Sequence, residues 1–179
     1  MGSLLVVTGP PGAGKSTVAR LLADAAERSV LVEGDAFFAF LARGAVEPWR
    51  PEAHDQNTVV TVASAAAAGA FAAGGYATVY DGVVGPWFLP AFAAATGLDR
   101  LDYVIILPSV EECVRRVTTR RGHEFTDEPA TRNMHAEFAA AVAEVDDRHV
   151  LRDPPGGPEA VAALIESARA AGRLTHEVR

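Results

Sequence analysis

The residues best suited to chemistry lie close together near the N-terminus. Gly9 to Thr17 reads GPPGAGKST, which has the spacing G-x-x-x-x-G-K-[ST], and it stands between an apolar run and a helix-forming run. Glycines at this spacing allow successive backbone N–H groups to point inward, and the following helix adds the positive end of its dipole. The segment therefore predicts a concave site for nucleotide phosphates, with contacts from Gly12, Ala13, Gly14, Lys15, Ser16 and Thr17.

Two side chains of this segment have specific chemistry. Lys15 is the only lysine in the chain, which otherwise uses arginine for its permanent positive charges. A compact ammonium suits the space between the β- and γ-phosphates better than a planar guanidinium does. The Ser16 hydroxyl is a predicted ligand of Mg²⁺ at those phosphates. We therefore expect Lys15 to act in catalysis as well as in nucleotide binding.

Two aspartates directly follow predicted strands, Asp35 after 29–32 and Asp81 after 77–80. Such positions share the ligand-binding edge of a parallel sheet. We expect Asp35 to bind the acceptor or to take a proton from its hydroxyl, the alternative being a helix N-cap. Asp81 would hold Mg²⁺ through water or bind the acceptor, and its alternative is a turn residue in Asp-Gly. Glu33 has a similar position and is the weaker candidate.

Arginines are dense between residues 115 and 132, around a polar loop that contains Gly122. A loop of this kind can close as a lid, here about 115–135, and bring a guanidinium onto the transferring phosphoryl group. Arg116 and Arg120 are the predicted phosphate contacts, with Arg120 acting in catalysis. The alternative is a solvated helix end whose arginines oppose the helix dipole. His123 and His135 are further candidates for the lid.

Aromatic side chains fall in loops and short helices near the same predicted edge. Phe38, Trp49 and Trp87 are expected to wall a pocket for the acceptor, although aromatic residues at such positions are as often ordinary core. Asn57, close to His54 and Gln56, enters an alanine-rich helix and is a candidate for polar contact with the substrate.

Composition bounds the kind of protein. The 179 residues suit one domain, 1–179, and the formal charge of −7 argues against a nucleic-acid partner. Cys113 is the only cysteine, which favours a reducing cytoplasm. Residues 56–80 carry no charge, yet they lack leucine and isoleucine, so we expect no membrane span. The start of the chain lacks the basic region of a signal peptide.

Strand and helix patterns alternate along the chain. Short apolar runs predict strands, and longer amphipathic or alanine-rich runs between them predict helices. This order indicates an α/β fold with a five-stranded parallel sheet covered on both faces, and a tail after Gly172 that is loosely held. The predicted strands are 4–8, 29–32, 77–80, 101–107 and 149–151, and the predicted helices are about 15–26, 36–42, 55–73, 88–95, 109–121, 130–144 and 158–171.

These motifs together resemble the small P-loop kinases of the gluconate, shikimate and chloramphenicol phosphotransferase type. The resemblance covers most of the chain, and segments such as Asp81-Gly82-Val83-Val84 are similar to a subfamily of ATP-binding proteins whose substrates are mostly unknown. It implies a three-layer P-loop fold with strand order 2-3-1-4-5, Mg-ATP as donor and a small hydroxyl compound as acceptor. It also implies Asp35 as base, a lid near Arg120 and an adenine contact near Pro155.

The sequence thus favours a cytoplasmic ATP-dependent phosphotransferase, monomer or homodimer, acting on a small-molecule hydroxyl such as that of an antibiotic or a sugar-like metabolite. GTP is an alternative donor. A second hypothesis is a nucleotide-dependent regulatory or partner-binding module without a small-molecule acceptor. A third, a nucleic-acid end kinase, is disfavoured by the net charge of −7.

Overall fold

The computed structural model describes residues 2–119 and 125–178, and it contains a central sheet with five parallel strands. Their order is β2-β3-β1-β4-β5, which confirms the predicted fold class and strand order. Because β1 lies at the centre, the loop after it opens at the middle of the carboxyl edge, as in other doubly wound sheets. The strands are β1 (Ser3–Thr8), β2 (Ser29–Glu33), β3 (Ala77–Asp81), β4 (Arg100–Leu107) and β5 (Val150–Arg152).

Helices cover both faces of this sheet. On one face the buried side chains of α1 and α6 pack against β1 and β4, and on the other face α2, α3 and α5 contribute alanines and phenylalanines to the core. Near-continuous apolar runs such as that of β1 are expected in strands that are buried on both faces. The helices are α1 (Lys15–Asp24), α2 (His54–Ala73), α3 (Leu89–Thr96), α4 (Val110–Thr119), α5 (Glu128–Ala141) and α6 (Pro158–Ala170).

Two boundaries differ from the sequence prediction for local reasons. The segment Gly34–Phe40 forms 3₁₀ turns rather than an α-helix, in which three phenylalanines would have had poor helix propensity. Helix α5 begins before residue 130 because the Asp127 carboxylate caps it, accepting a hydrogen bond from the Ala130 N–H at 2.8 Å. Neither difference moves a predicted site residue to another edge of the sheet.

Residues 173–178 are held against the sheet, so the expectation of a loosely held tail after Gly172 is wrong. Thr175–Glu177 forms a sixth strand, β6, which pairs antiparallel with the first residues of β4. Leu174 beside it is buried, and the Thr175 hydroxyl donates to Asp102 at 3.3 Å. The sequence of this segment is too short and too polar to reveal a strand, and its partner lies about 75 residues earlier in the chain.

In the part of the chain that the structure describes, no helix combines the length and the apolar character that crossing a membrane requires. This includes α2, whose twenty residues lie against the sheet and α3.

Candidate functional site

The loop after β1 has the backbone geometry that its glycines predicted. Gly9 has φ 148° and Gly12 has φ 78°, both in the region that disfavours any other residue. Space is limiting too, because a Cβ at Gly9 would lie 2.2 Å from the Ile106 carbonyl oxygen. At Gly12 it would lie 2.3 Å from that of Cys113. The loop therefore packs closely against the C-terminal end of β4 and the first turn of α4, and it leads directly into α1.

Lys15 begins α1 and bridges back across the loop. Its Nζ donates to the Pro10 carbonyl at 3.1 Å, and the Ala13 N–H donates to the same oxygen, also at 3.1 Å. The ammonium lies in the wall of a cavity of about 990 Å³, together with Gly12, Gly14, Ser16 and Thr17. The structure thus brings the predicted phosphate contacts to one concave surface. Ala13 is buried beneath it and belongs to the core.

Asp81 and Ser16 meet at the base of this surface. Asp81 ends β3, between Val7 of β1 and Glu33 of β2, and it is buried. Burial raises the pKa of the Asp81 carboxyl, although the charge of Lys15 and the interaction with the Ser16 hydroxyl oppose that effect. Its Oδ1 has no hydrogen-bond partner among residues 2–119 and 125–178. A buried carboxylate oxygen without a partner, next to a hydroxyl and an ammonium, fits a hydrated Mg²⁺ ion.

Asp35 lines the same cavity as Ser16 and is exposed. Within the described residues its carboxylate makes no hydrogen bond or ion pair, so it does not act as a helix cap here. The negative charge of Asp35 contributes to raising the pKa of both Asp81 and Tyr80. The two strand-end aspartates therefore share one electrostatic environment. Glu33, by contrast, is paired with Arg20 at 2.8 Å, with both side chains largely in solvent.

The aromatic residues singled out in the sequence line the same cavity. Phe38, Trp49 and Trp87 all contribute to its wall. The rings of Trp49 and Phe125 pack edge-on with their centroids 5.1 Å apart. Those of Trp87 and Phe138 pack in the same way, with centroids 5.0 Å apart. These rings give the cavity wall a substantial aromatic surface.

Asn57 has a structural task in addition to its place in the wall. Its Nδ2 donates to the Pro48 carbonyl at 2.7 Å, while neighbouring Gln56 exchanges two hydrogen bonds with the backbone of Val46, each 2.8 Å. These bonds attach the irregular loop that carries Trp49 to the start of α2. The Asn57 Oδ1 is buried and has no partner within the described residues. Sequence reasoning could not distinguish this anchoring role from substrate contact.

Arg116 lies across the phosphate loop. Its Nη1 donates to the carbonyl oxygens of Gly12 and Ala13, both at 3.3 Å, and its Nε donates to Glu112 at 2.6 Å. Arg115 also binds Glu112, at 2.7 Å, but from the solvent side. These two hydrogen-bonded guanidinium groups lower the pKa of Glu112 to about 2. Arg120 and His123 lie outside the described residues, and His135 contacts the Pro108 carbonyl at 2.8 Å.

A second cavity of about 520 Å³ also adjoins the loop. It is bounded by Arg116, Ser109 and the turn that contains Pro154, Gly156 and Gly157. Pro155 lies within this turn but does not itself line the cavity. Asp153 fixes the turn, because its Oδ1 accepts a hydrogen bond from the Ser109 N–H at 2.6 Å.

The site also contains residues that the sequence did not single out. Tyr80, Phe88 and Glu137 line the main cavity. The Val84 N–H donates to Thr8 at 2.8 Å, and the Tyr103 hydroxyl donates to the Val84 carbonyl at 2.7 Å, so the loop after Asp81 is held from both sides. Tyr80 could have been suspected, since it immediately precedes Asp81, but its apolar surroundings in the sequence indicate only a buried strand.

The fold and the phosphate loop define a P-loop protein. Residues 4–145 match the AAA domain family, and the chain belongs to that family. No match to the chain was found among curated protein sequences.

Solved structures share the fold at low sequence identity. A shikimate kinase from Acinetobacter baumannii in complex with shikimate is 21% identical, with a TM-score of 0.67 over 97% of this chain and 96% of that one. A sugar kinase from Janibacter sp. HTCC2649 is 21% identical, with a TM-score of 0.66 over the same shares. A chain of the Pnkp1/Rnl/Hen1 RNA repair complex is 20% identical with a TM-score of 0.64, but this chain spans only 46% of its length and aligns over 81% of its own.

Proposed function

We propose that the protein transfers the γ-phosphoryl group of ATP to a hydroxyl of a small molecule. The observation that carries this proposal is one continuous cavity whose wall contains Lys15 and Ser16 of the phosphate loop, the carboxylate residue Asp35, and the aromatic residues Phe38, Trp49 and Trp87. A donor phosphate at the loop and an acceptor among the aromatic rings would then meet beside a carboxylate. This is the minimum that phosphoryl transfer requires.

Each polar side chain has a role that follows from its position. Lys15 and the loop N–H groups would bind the β- and γ-phosphates, and Ser16 with Asp81 would hold Mg²⁺, which neutralises charge on those phosphates. Asp35 is unpaired within the described residues and would accept the proton of the attacking hydroxyl. Arg116 would keep the loop in its phosphate-binding shape, and Arg120 would add charge at the transferred group.

The acceptor pocket favours a compound with an apolar body. Phe38, Trp49 and Trp87 supply large ring faces, which suit an antibiotic or a sugar-like metabolite with an exposed hydrophobic side. The likeness to a sugar kinase and a shikimate kinase supports an acceptor of small size. The second cavity, next to Arg116 and Gly156, would hold the nucleotide base. We propose a cytoplasmic location as well, in keeping with the single buried cysteine.

A regulatory module that binds nucleotide without an acceptor is the main alternative. The likeness to a chain of an RNA repair complex raises a nucleic-acid acceptor again, although the charge of −7 disfavours it. One experiment separates these cases. The protein is incubated with Mg-ATP or Mg-GTP and a broad panel of hydroxyl compounds that includes antibiotics, sugars and an oligonucleotide, and phosphorylated products are sought by mass spectrometry.

We expect a new mass of one phosphoryl group on a small molecule, with none when Lys15→Ala replaces the wild type. A product on the oligonucleotide alone would contradict the proposal. Nucleotide binding with no product from any member of the panel would favour the regulatory module.

A further inference from the structure

Tyr80 lies between the two backbone segments that carry the strand-end aspartates. A Cβ added to Gly34 would lie 2.2 Å from the Tyr80 Oη and 2.7 Å from its Cζ. A Cβ added to Gly82 would lie 2.8 Å from the Tyr80 Cε1. Neither glycine has a positive φ, so it is the phenol ring, and not backbone conformation, that requires glycine at these two positions. Asp35 directly follows one of these glycines and Asp81 directly precedes the other.

The hydroxyl end of the Tyr80 ring is also held by a hydrogen bond. Its hydroxyl lies 2.9 Å from the Ser64 Oγ, and both residues are buried. Ser64 donates its only proton to the Thr61 carbonyl at 3.0 Å, so Tyr80 must be the donor in the bond to Ser64. Phe92 meets the ring edge-on at 4.7 Å. The phenol is therefore held by Ser64 of α2 and by Phe92 of α3.

Helix α2 also contributes to the wall of the main cavity, through Asn57, Val60 and Thr61. The Tyr80 side chain thus connects α2, which lines the cavity, to the two segments that carry Asp35 and Asp81. We propose that Tyr80 is a positioning residue that sets the separation of Asp35 from Asp81, so that the base and the metal-site carboxylate face the same phosphoryl group. This inference rests on the proposed function for the role of Asp35, but its effect on Asp81 can be measured without any acceptor.

The test compares Tyr80→Phe, which removes the hydroxyl alone, with Ser64→Ala, which removes its partner but leaves the hydroxyl against Gly34. Tyr76→Phe is the matched control, because this tyrosine precedes β3 at the far end of the strand and does not line the cavity. Binding of Mn²⁺ to the protein–ADP complex is followed by EPR. ATP turnover is measured with the acceptor from the screen, or with water if none is found.

A displacement of about 1 Å at a reacting group can lower a rate on the order of 100-fold. For Tyr80→Phe we expect kcat to fall roughly tenfold and Mn²⁺ binding to weaken roughly threefold, which corresponds to a fraction of that displacement. The KM for ATP and the affinity for metal-free ADP should stay within about twofold, since the hydrogen bond and ring contact that hold the phenol are with Ser64 and Phe92 and not with the phosphate loop. Ser64→Ala should show a smaller change in the same direction, and Tyr76→Phe should show none.

Unchanged Mn²⁺ affinity and unchanged kcat in Tyr80→Phe would overturn the inference. So would a uniform loss of metal binding, ADP binding and turnover that follows a lower melting temperature, since that pattern indicates a structural role only. If Tyr80→Phe does not fold, Ser64→Ala decides by the same two criteria. Failure of the acceptor screen would overturn the proposed function, whereas the Mn²⁺ measurement would still decide the role of Tyr80.

Discussion

The guanidinium of Arg116 and the carbonyl of Gly12 are 104 positions apart in the chain, yet the Nη1 of the first lies 3.3 Å from the oxygen of the second. This contact joins α4 to the phosphate loop. The Nε of the same guanidinium donates a hydrogen bond to the Glu112 carboxylate at 2.6 Å. The loop is therefore supported by a charged side chain that also faces both cavities.

Replacing Arg116 by alanine should weaken nucleotide binding. Hydrogen bonds that involve a charged group contribute about 1.5–3 kcal/mol, so the dissociation constant for Mg-ATP should rise roughly 10- to 100-fold. Isothermal titration calorimetry measures this change. Arg115→Ala is the control, because Arg115 binds the same glutamate but does not reach the loop. Equal losses in the two variants would refute a specific role for Arg116.

Asp35→Asn should separate chemistry from binding. The amide keeps the size of the side chain but cannot accept the acceptor proton as a base, and general-base catalysis contributes about 10²- to 10⁴-fold. We expect a loss of that order in kcat with the dissociation constant for ATP unchanged. Steady-state kinetics on the product from the screen provide the measurement. Retention of more than half of the wild-type kcat would exclude Asp35 as the base.

Asp81→Asn should stabilise the empty protein while impairing its metal-dependent activity. Burial raises the pKa of this carboxyl, so the folded protein holds the proton more tightly than the unfolded chain does. Ionisation therefore costs stability as pH rises above the ordinary pKa of aspartate, and at neutral pH an uncharged amide avoids that cost. We expect a higher melting temperature at pH 7 without nucleotide or metal, and a smaller gain at pH 4.

The same variant should lose Mg²⁺-supported turnover on the order of 10²-fold, because a bound metal contributes several kcal/mol to transition-state charge stabilisation. Glu33→Gln is the matched control. It lies in register with Asp81 on β2 but is exposed and paired with Arg20, so neither stability nor turnover should change appreciably. A lower melting temperature for Asp81→Asn would contradict the assigned cost of burial.

Leu174→Ala should destabilise the fold by about 2–4 kcal/mol, as is usual when a buried leucine is truncated. Leu174 is 1% exposed and precedes β6, whereas Leu164 of α6 is 43% exposed. Leu164→Ala should change the free energy of unfolding by less than about 0.5 kcal/mol. Urea denaturation followed by circular dichroism measures both. Similar values for the two variants would show that the end of the chain adds little to the core.

Local sequence patterns were sufficient to predict the phosphate loop, the five parallel strands and the position of Asp81. Each of these depends on a run of neighbouring residues or on the rule that strand ends share an edge. The strand β6 was missed because it depends on pairing with Arg100–Asp102, far away in the chain. The bond from Tyr80 to Ser64 was missed for the same reason, since neither residue alone has an unusual environment in the sequence.

The roles of Gln56 and Asn57 show a different limit. Polar side chains at the start of an apolar helix are equally consistent with ligand contact and with anchoring of a loop. Here the partners are backbone groups of Val46 and Pro48, whose approach depends on the path of an irregular segment. Nothing in the local sequence specifies that path.

The pairing of β6 with the first half of β4 has a consequence for the behaviour of partly unfolded molecules. The second half of β4, from Tyr103 to Leu107, is apolar and buried, and β5 pairs only with the last three residues of β4. Without β6, the other half of its edge would present free N–H and C=O groups next to a hydrophobic run, which is a template for intermolecular strand addition. The short polar sequence Thr175-His176-Glu177 covers that edge, so loosening it should promote aggregation before the nucleotide site itself is lost.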